Sequence, residues 1–167
     1  MEQLPRPRVL NFLKKTDKKL VVPYLEHVIW EWGDDNPLLH NELIHQYRES
    51  IMVSPPSPSS DETVIFNFKK NRDEKRDKLV NFLRSSDYYT AATILAHFPH
   101  DDLYEERALL LGRLGQHQQA LNIYVQILKN LDDALKHCHI NYTSTGRGSE
   151  VIVKTLLKVF HFTTEIY

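Results

Sequence analysis

The sequence contains a single cysteine, Cys138, only five glycines, and no apolar run approaching the roughly 20 residues that a membrane span needs. A lone cysteine cannot form an internal disulfide, which favours a reducing compartment and predicts a soluble chain on the cytosolic side. The scarcity of glycine and of alternating β-branched stretches argues against a sheet, because Leu, Ala, Lys, Glu and Gln dominate the periodic segments. The composition therefore predicts an all-α fold.

An excess of charge of one sign is also missing, since 21 Lys and Arg residues face 22 Asp and Glu residues. No net field draws the whole chain to nucleic acid or to an anionic membrane, so the expected partners are proteins. Lys14, Lys15, Lys18 and Lys19 could contact phosphate groups. A solvated helix end explains these lysines more simply, and we predict no nucleic-acid binding.

Apolar residues recur three and four positions apart along most of the chain, which is the spacing of one helix face. The proline- and serine-rich stretch 53–62 interrupts this pattern and predicts a disordered loop. Ser54 and Ser57 precede prolines there; phosphorylation and an unmodified linker both stay open. The predicted helices cover residues 9–13, 23–32, 37–52, 69–83, 88–96, 102–114, 116–129, 132–139 and 151–160, with a glycine-containing break at 144–149.

Two helix starts are predicted from capping residues. Ser86 or Asp87 suits the N-cap of the helix over 88–96, and Asp102 with Glu105 three residues later resembles a capping box. Aromatic residues at helical spacing are more often buried than partner-binding, so we predict that five of them belong to the core. These five are Trp30, Trp32, Tyr88, Tyr89 and Tyr124.

A helical hairpin is predicted where Gly115 separates two of these helices. Glycine permits the left-handed conformation that ends a helix, and the small Ala120 lets the second helix approach the first closely. Gly112, Leu121 and Tyr124 complete the predicted turn and packing residues. Because one hairpin cannot cover its own apolar faces, the pattern predicts an α-solenoid of antiparallel helical hairpins, with residues 1–167 forming one segment of it.

No residue pattern typical of catalysis accompanies these helices. The glycines lack a P-loop context, and Glu105 and Glu106 are first-turn carboxylates that the helix dipole favours. His137, Cys138 and His139 offer metal-binding atoms, but adjacent side chains on a helix point about 100° apart and do not share one tetrahedral face. We therefore predict no enzyme activity, no catalytic residue, no cofactor and no metal.

A resemblance to a known family adds to this interpretation. The stretches Phe98-Pro99, Leu103 to Gly115, Ala120-Leu121 and Ile123 to Val125 resemble the clathrin-heavy-chain-type repeat of the vacuolar protein sorting-associated protein 39 (Vam6-like) family. Pro23 to His27 resembles the same family, so the likeness covers roughly residues 8–140. The related transforming-growth-factor-β receptor-associated protein is the second choice.

The resemblance implies a tethering function without catalysis. Members of this family are subunits of the HOPS complex, peripheral on late endosomes and lysosomes or vacuoles, and bind other class C vacuolar sorting proteins. The resemblance also implies that family members contact Rab GTPases through a region that is absent here. The chain would then be a middle segment of a larger protein. A peptide-binding adaptor and a subunit of the early-endosomal CORVET complex are the alternatives.

Overall fold

The computed structural model describes residues 5–57, 61–144, 154 and 157, and of residues 141–144 the backbone alone. In this part of the chain every regular element is a helix and no strand occurs, which confirms the predicted all-α fold. The chain forms two compact units, Met1–Thr90 and Ala91–Tyr167. Within each unit, helices adjacent in sequence pack on each other, as a solenoid of helical hairpins requires.

The first unit contains four α-helices. Helix α3 begins where predicted, because the Asn36 side chain accepts a hydrogen bond from the Leu38 N–H at 3.0 Å and Pro37 occupies the first helical position. The elements are α1 (Arg6–Thr16), a 3-10 turn (Lys18–Leu20), α2 (Val21–Trp30), α3 (Pro37–Ile51) and α4 (Glu62–Ser85).

The core of this unit lies between α2, α3 and the last two turns of α4. Helix α4 is mostly exposed over its charged first part and becomes buried only from Leu79 onward. Each fully buried aliphatic side chain stabilises the fold by roughly 1.5–3 kcal/mol relative to exposure. The largest fully buried side chains here are Leu25, Leu39, Leu43, Ile44, Ile51, Leu79 and Leu83.

His40 connects three parts of the first unit through its ring. Its Nε2 lies 2.8 Å from the Asp34 carbonyl oxygen and its Nδ1 lies 2.7 Å from the Ser86 hydroxyl, at the end of α4. Since a carbonyl only accepts, Nε2 donates and Nδ1 accepts the hydroxyl proton. The buried ring also stacks on Phe82 at a centroid distance of 5.5 Å, so both of its nitrogens and one of its faces are engaged.

In its described residues, the second unit contains four α-helices and one π-helical segment, besides the helical positions Lys154 and Leu157. Arg107 Nη1 donates to the Pro99 carbonyl at 3.0 Å and ties α6 to the turn that precedes it. The elements are α5 (Ala91–Ala96), α6 (Tyr104–Arg113), α7 (His117–Asn122), the π-helical segment (Ile123–Ile127) and α8 (Leu131–Ser144).

Two predicted helix starts are wrong. Helix α4 begins at Glu62 and not near residue 69. Its first two turns carry the apolar residues Val64, Ile65, Phe66 and Phe68, which the prediction did not assign to a helix and of which Val64 and Phe66 are exposed. Helix α5 begins at Ala91 and not at Tyr88, so neither Ser86 nor Asp87 caps it. The Tyr88 N–H binds the Ser86 hydroxyl at 3.4 Å, which holds the backbone before α5 in a turn.

The capping box predicted at Asp102 is also wrong. Leu103 occupies the N-cap position of α6 with a left-handed φ of 53°, and no side chain caps the helix there. The Asp102 carboxylate instead accepts from the N–H of Leu103 at 2.7 Å. Leu103 is fully buried, and this burial stabilises a backbone conformation that a leucine rarely adopts.

The C-terminal predictions are tested only in part. Helix α8 runs to Ser144, five residues beyond the predicted end at His139. Lys154 and Leu157 are helical and exposed, while the rest of the predicted helix 151–160 and residues 145–149 of the break lie outside the described residues. Residues 53–57 have no regular secondary structure, and the disorder of the 53–62 loop stays a prediction.

Three of the five aromatic residues predicted for the core are on the surface. Trp30 and Trp32 are each 54% exposed and Tyr88 is 52% exposed, whereas Tyr89 and Tyr124 are buried. Trp32 lies beyond the end of α2, where the Arg6 guanidinium covers its ring at 5.3 Å. In the part of the chain that the structure describes, no helix has both the length and the apolar character needed to cross a bilayer.

We predict that His40→Ala lowers the free energy of unfolding of the first unit by about 2–4 kcal/mol. The substitution removes ring packing and leaves the Ser86 hydroxyl and the Asp34 carbonyl without their partner. Both tryptophans, Trp30 and Trp32, lie in this unit, so urea denaturation followed by tryptophan fluorescence measures the change. His45→Ala, on the same helix but at a half-buried position, is the control; an equal loss in both variants contradicts the prediction.

Candidate functional site

The hairpin formed by α6, α7 and the π-helical segment contains all five predicted site residues. Helix α6 ends at Arg113, and Gly115 follows with a left-handed φ of 73°. The Gln116 N–H binds the Leu111 carbonyl at 2.9 Å and the Gly115 N–H binds the Gly112 carbonyl at 3.0 Å. These two bonds form a Schellman motif, which satisfies the last carbonyls of α6 and reverses the chain within three residues.

The second helix of the hairpin buries its apolar face against the first. Ala120 and Leu121 are fully buried, and Tyr124 is 2% exposed. They share one core cluster with Ala108 and Leu111 of α6. Ala120 has no side chain beyond Cβ, so it leaves room for the two helices to pack closely at that point.

The same helix changes its hydrogen-bonding pattern halfway along. Over Ile123–Ile127 the helix is π-helical, and the Leu128 N–H binds the Ile123 carbonyl five residues back at 2.9 Å. Lys129 then turns the chain with a left-handed φ of 52°. Asn130 begins α8 as a cap, since its Oδ1 accepts from the Asp133 N–H at 3.1 Å and its Nδ2 donates to the Asp133 carboxylate at 2.8 Å.

Gly112 is a close-approach position between α6 and α8. A Cβ placed on Gly112 would lie 2.5 Å from Cε1 of His137, a distance that real side chains do not tolerate. His137 is 8% exposed, and its ring lies 5.8 Å from the ring of Tyr124, centroid to centroid. Gly112 is therefore a packing residue that makes room for an imidazole.

His117 and His137 form a contact between α7 and α8. Nδ1 of His117 lies 3.2 Å from Nε2 of His137, a separation at which one neutral ring donates to the other. Burial and, to a smaller extent, the neighbouring His117 together lower the pKa of His137 to about 4. Burial also lowers the pKa of His117. Both rings are therefore neutral at pH 7, and the pair is a structural contact between two helices.

The three neighbouring residues considered for metal binding point to different surroundings. His137 packs on Gly112, Cys138 packs against the hydrophobic cluster, and His139 is exposed. Burial raises the pKa of the Cys138 thiol, which disfavours the nucleophilic thiolate. Across residues 5–57 and 61–144, no three His, Cys, Asp or Glu side chains lie together in a way that could hold a metal ion.

Sequence reasoning missed two features of this site. The contact between His117 and His137 joins positions 20 residues apart. The one sequence signal near it is Gly112, since a glycine inside a helix is consistent with the close approach of a bulky side chain. Glu106 is fully buried in the first turn of α6, where the helix dipole alone suggested a solvated carboxylate. Among the residues described, neither the histidine contact nor the buried Glu106 lines a cleft. The residues of the site pack against one another, and the chain is of the helical-hairpin repeat class.

Comparison with known proteins identifies the family. The chain is 40% identical to the human Vam6/Vps39-like protein over 172 aligned positions that include 96% of the chain and 19% of that protein. It is 38% identical to the Drosophila melanogaster vacuolar protein sorting-associated protein 39 homolog, with 94% of the chain and 17% of that protein covered. Over nearly its whole length, the chain is therefore similar to Vam6/Vps39-like proteins, which confirms the predicted resemblance.

The second-choice relative is more distant. Human transforming growth factor-beta receptor-associated protein 1 is 30% identical over 91% of the chain and 17% of that protein. The chain spans about a fifth of the length of the Vam6/Vps39-like relatives, 19% in the human protein. No family model and no solved structure matches it.

We predict that Gly112→Ala lowers the free energy of unfolding of the second unit by about 1–2 kcal/mol. The clash with His137 outweighs the roughly 1 kcal/mol by which alanine favours a helix over glycine. The effect is measured by hydrogen exchange of the α6 and α8 amides. His137→Ala removes the clashing ring, so Gly112→Ala should cost clearly less in that background; additive costs would contradict the contact.

We further predict that acid destabilises this unit through His137. Its pKa is about 4 when folded and near 6.5 when unfolded, so the neutral ring's stabilisation is complete above pH 6.5 and is lost between pH 6.5 and 4. At pH 5 the loss is about 2 kcal/mol relative to pH 7.5. Hydrogen exchange at both pH values measures this loss of stability. The loss should be smaller in His137→Gln than in the unmodified chain, and unchanged in the exposed His139→Gln. An equal loss in all three proteins would refute the prediction.

Proposed function

We propose that the chain is a non-enzymatic scaffold segment of a HOPS-type tethering subunit that acts in fusion between endosomes and the lysosome or vacuole. The observation that carries this proposal is the similarity over 96% of the chain to a Vam6/Vps39-like protein. The Drosophila relative is named as a vacuolar protein sorting-associated protein, which supports a role in sorting. The chain is 40% identical to the human Vam6/Vps39-like protein and 30% identical to transforming growth factor-beta receptor-associated protein 1, the second-choice relative. This difference favours the HOPS assignment over the alternative of an early-endosomal CORVET subunit.

The hairpin geometry supports a scaffold mechanism. Its apolar side chains pack in one buried cluster, and the left-handed turn at Gly115 fixes where α7 starts relative to α6. A segment of this kind transmits position between the parts of a larger protein, because repeats that contact only their neighbours set spacing and direction. The proposal therefore assigns no catalytic residue.

The partners and the location follow from the same assignment. The direct partners are other subunits of the tethering complex, namely class C vacuolar sorting proteins. Contact with a Rab GTPase belongs to a region outside this chain. The segment is then cytoplasmic and reaches late endosomes and lysosomes as a peripheral component, through the assembled complex.

The experiment replaces the corresponding segment of the human Vam6/Vps39-like protein with this chain, in cells that lack the human protein. We expect the chimera to copurify with the other subunits and to restore delivery of endocytosed cargo to lysosomes. Gly115→Val strains a left-handed position and Ala120→Leu overfills a fully buried one, each at about 1–3 kcal/mol, so both should weaken assembly and delivery.

Gln119→Ala, at an exposed position of the same helix, is the matched control and should behave as the unmodified chimera. A chimera that is folded and abundant but fails to join the complex would refute the proposal. Normal delivery with both packing variants, despite a measured loss of stability, would refute the scaffold mechanism.

A further inference from the structure

The first unit contains an open cleft of about 680 Å³, within the range of roughly 300–1,000 Å³ that ligand clefts occupy. Lys18 and Lys19 of the 3-10 turn line it, and α4 contributes Lys75 and Lys78. Four lysines from two separate elements therefore meet in one concave surface, although the whole chain has a net charge of −1. Two glutamates, Glu49 and Glu74, also line the cleft, so its lysines outnumber its carboxylates by four to two, and this excess of positive charge attracts an anionic ligand.

Three of the four ammonium groups are not neutralised by a carboxylate. Within the described residues, the ammonium groups of Lys18 and Lys19 have no ion-pair partner, and both side chains are exposed. Nζ of Lys75 lies 3.4 Å from the Ser50 carbonyl, a neutral acceptor. Only Lys78 contacts a carboxylate, that of Glu26, at 3.3 Å. The cleft therefore retains positive charge that an anionic ligand would neutralise.

The remaining lining selects between kinds of anion. Glu49 and Glu74 repel any anion, and most strongly one that concentrates several charges at one point, as a polyphosphate headgroup does; the carboxylates of a peptide can be spaced to avoid them. The amides of Gln46 and Asn71 provide both donors and acceptors, which match the N–H and C=O groups of a peptide backbone. A peptide with acidic side chains satisfies the lysines and the amides together, whereas a phosphate cluster uses the lysines alone.

From this arrangement we infer that the cleft binds an acidic peptide segment of a partner protein. The carboxylates of the segment meet Lys18 and Lys19 on one element and Lys75 on the other, and its backbone meets the amides. The inference concerns the unit Met1–Thr90 alone and does not depend on the proposed scaffold function. It also assigns a role to Lys18 and Lys19, which the sequence analysis attributed to a solvated helix end.

The test measures fluorescence anisotropy of fluorescein-labelled hexaglutamate titrated with the 167-residue chain. We expect saturable binding that weakens with added salt, and no binding of labelled hexaglutamine. Lys18→Gln with Lys19→Gln should weaken the affinity about fivefold, as two exposed ion pairs would. The control is Lys69→Gln with Lys70→Gln, exposed lysines of α4 outside the cleft that produce the same change of net charge, and it should bind nearly as the unmodified chain does.

Carbodiimide coupling gives a second measurement, because it joins a bound carboxylate directly to a nearby lysine. Mass spectrometry should then find hexaglutamate attached to Lys18, Lys19 or Lys75 in preference to Lys69 or Lys70. Absent binding, or equal weakening by the two double substitutions, would refute the inference. Tighter competition by inositol hexakisphosphate or by phosphoinositide vesicles than by unlabelled hexaglutamate would overturn it in favour of a polyphosphate site.

Discussion

The reversal of the chain at Gly115 is the constraint on which the second unit depends. Its two hydrogen bonds end α6, and α7 starts after three intervening residues, so that Ala120 and Tyr124 pack in one cluster with the apolar side of α6. Once that face is covered, α8 approaches α6 at Gly112, the position without a side chain. Each contact presupposes the preceding one, which is how short helices with little individual stability form a cooperative core.

The first unit solves the same problem with a polar residue. His40 satisfies a carbonyl at the start of α3 and a hydroxyl at the end of α4 while its ring stays in the core. A buried imidazole with both nitrogens paired costs little, and its directional bonds select one arrangement of the helices. Each unit thus contains a buried histidine that packs in its core and forms a hydrogen bond to a neighbouring side chain, His40 to Ser86 and His137 to His117.

The sequence predicted helices well where apolar spacing was strong and poorly where local chemistry competed with it. The predicted start of α3 at Pro37 and the predicted end of α5 at Ala96 were correct. The predicted helix start at Tyr88 and the predicted capping box before Leu103 were wrong. At both places a side chain accepts a hydrogen bond from the backbone N–H, an effect that the spacing of apolar residues does not reveal. The two imidazoles and the lysine cleft depend on residues far apart in sequence, so one sequence alone did not reveal either.

The π-helical segment Ile123–Ile127 has a consequence for how the length of this hairpin can change. A π-helical turn holds one residue more than an α-helical turn, so it stores an inserted residue without interrupting the helix. Related chains can therefore differ by one residue here while Asn130 still begins α8 in the same place. The hairpin accommodates an insertion inside a helix, where most folds accommodate it in a loop.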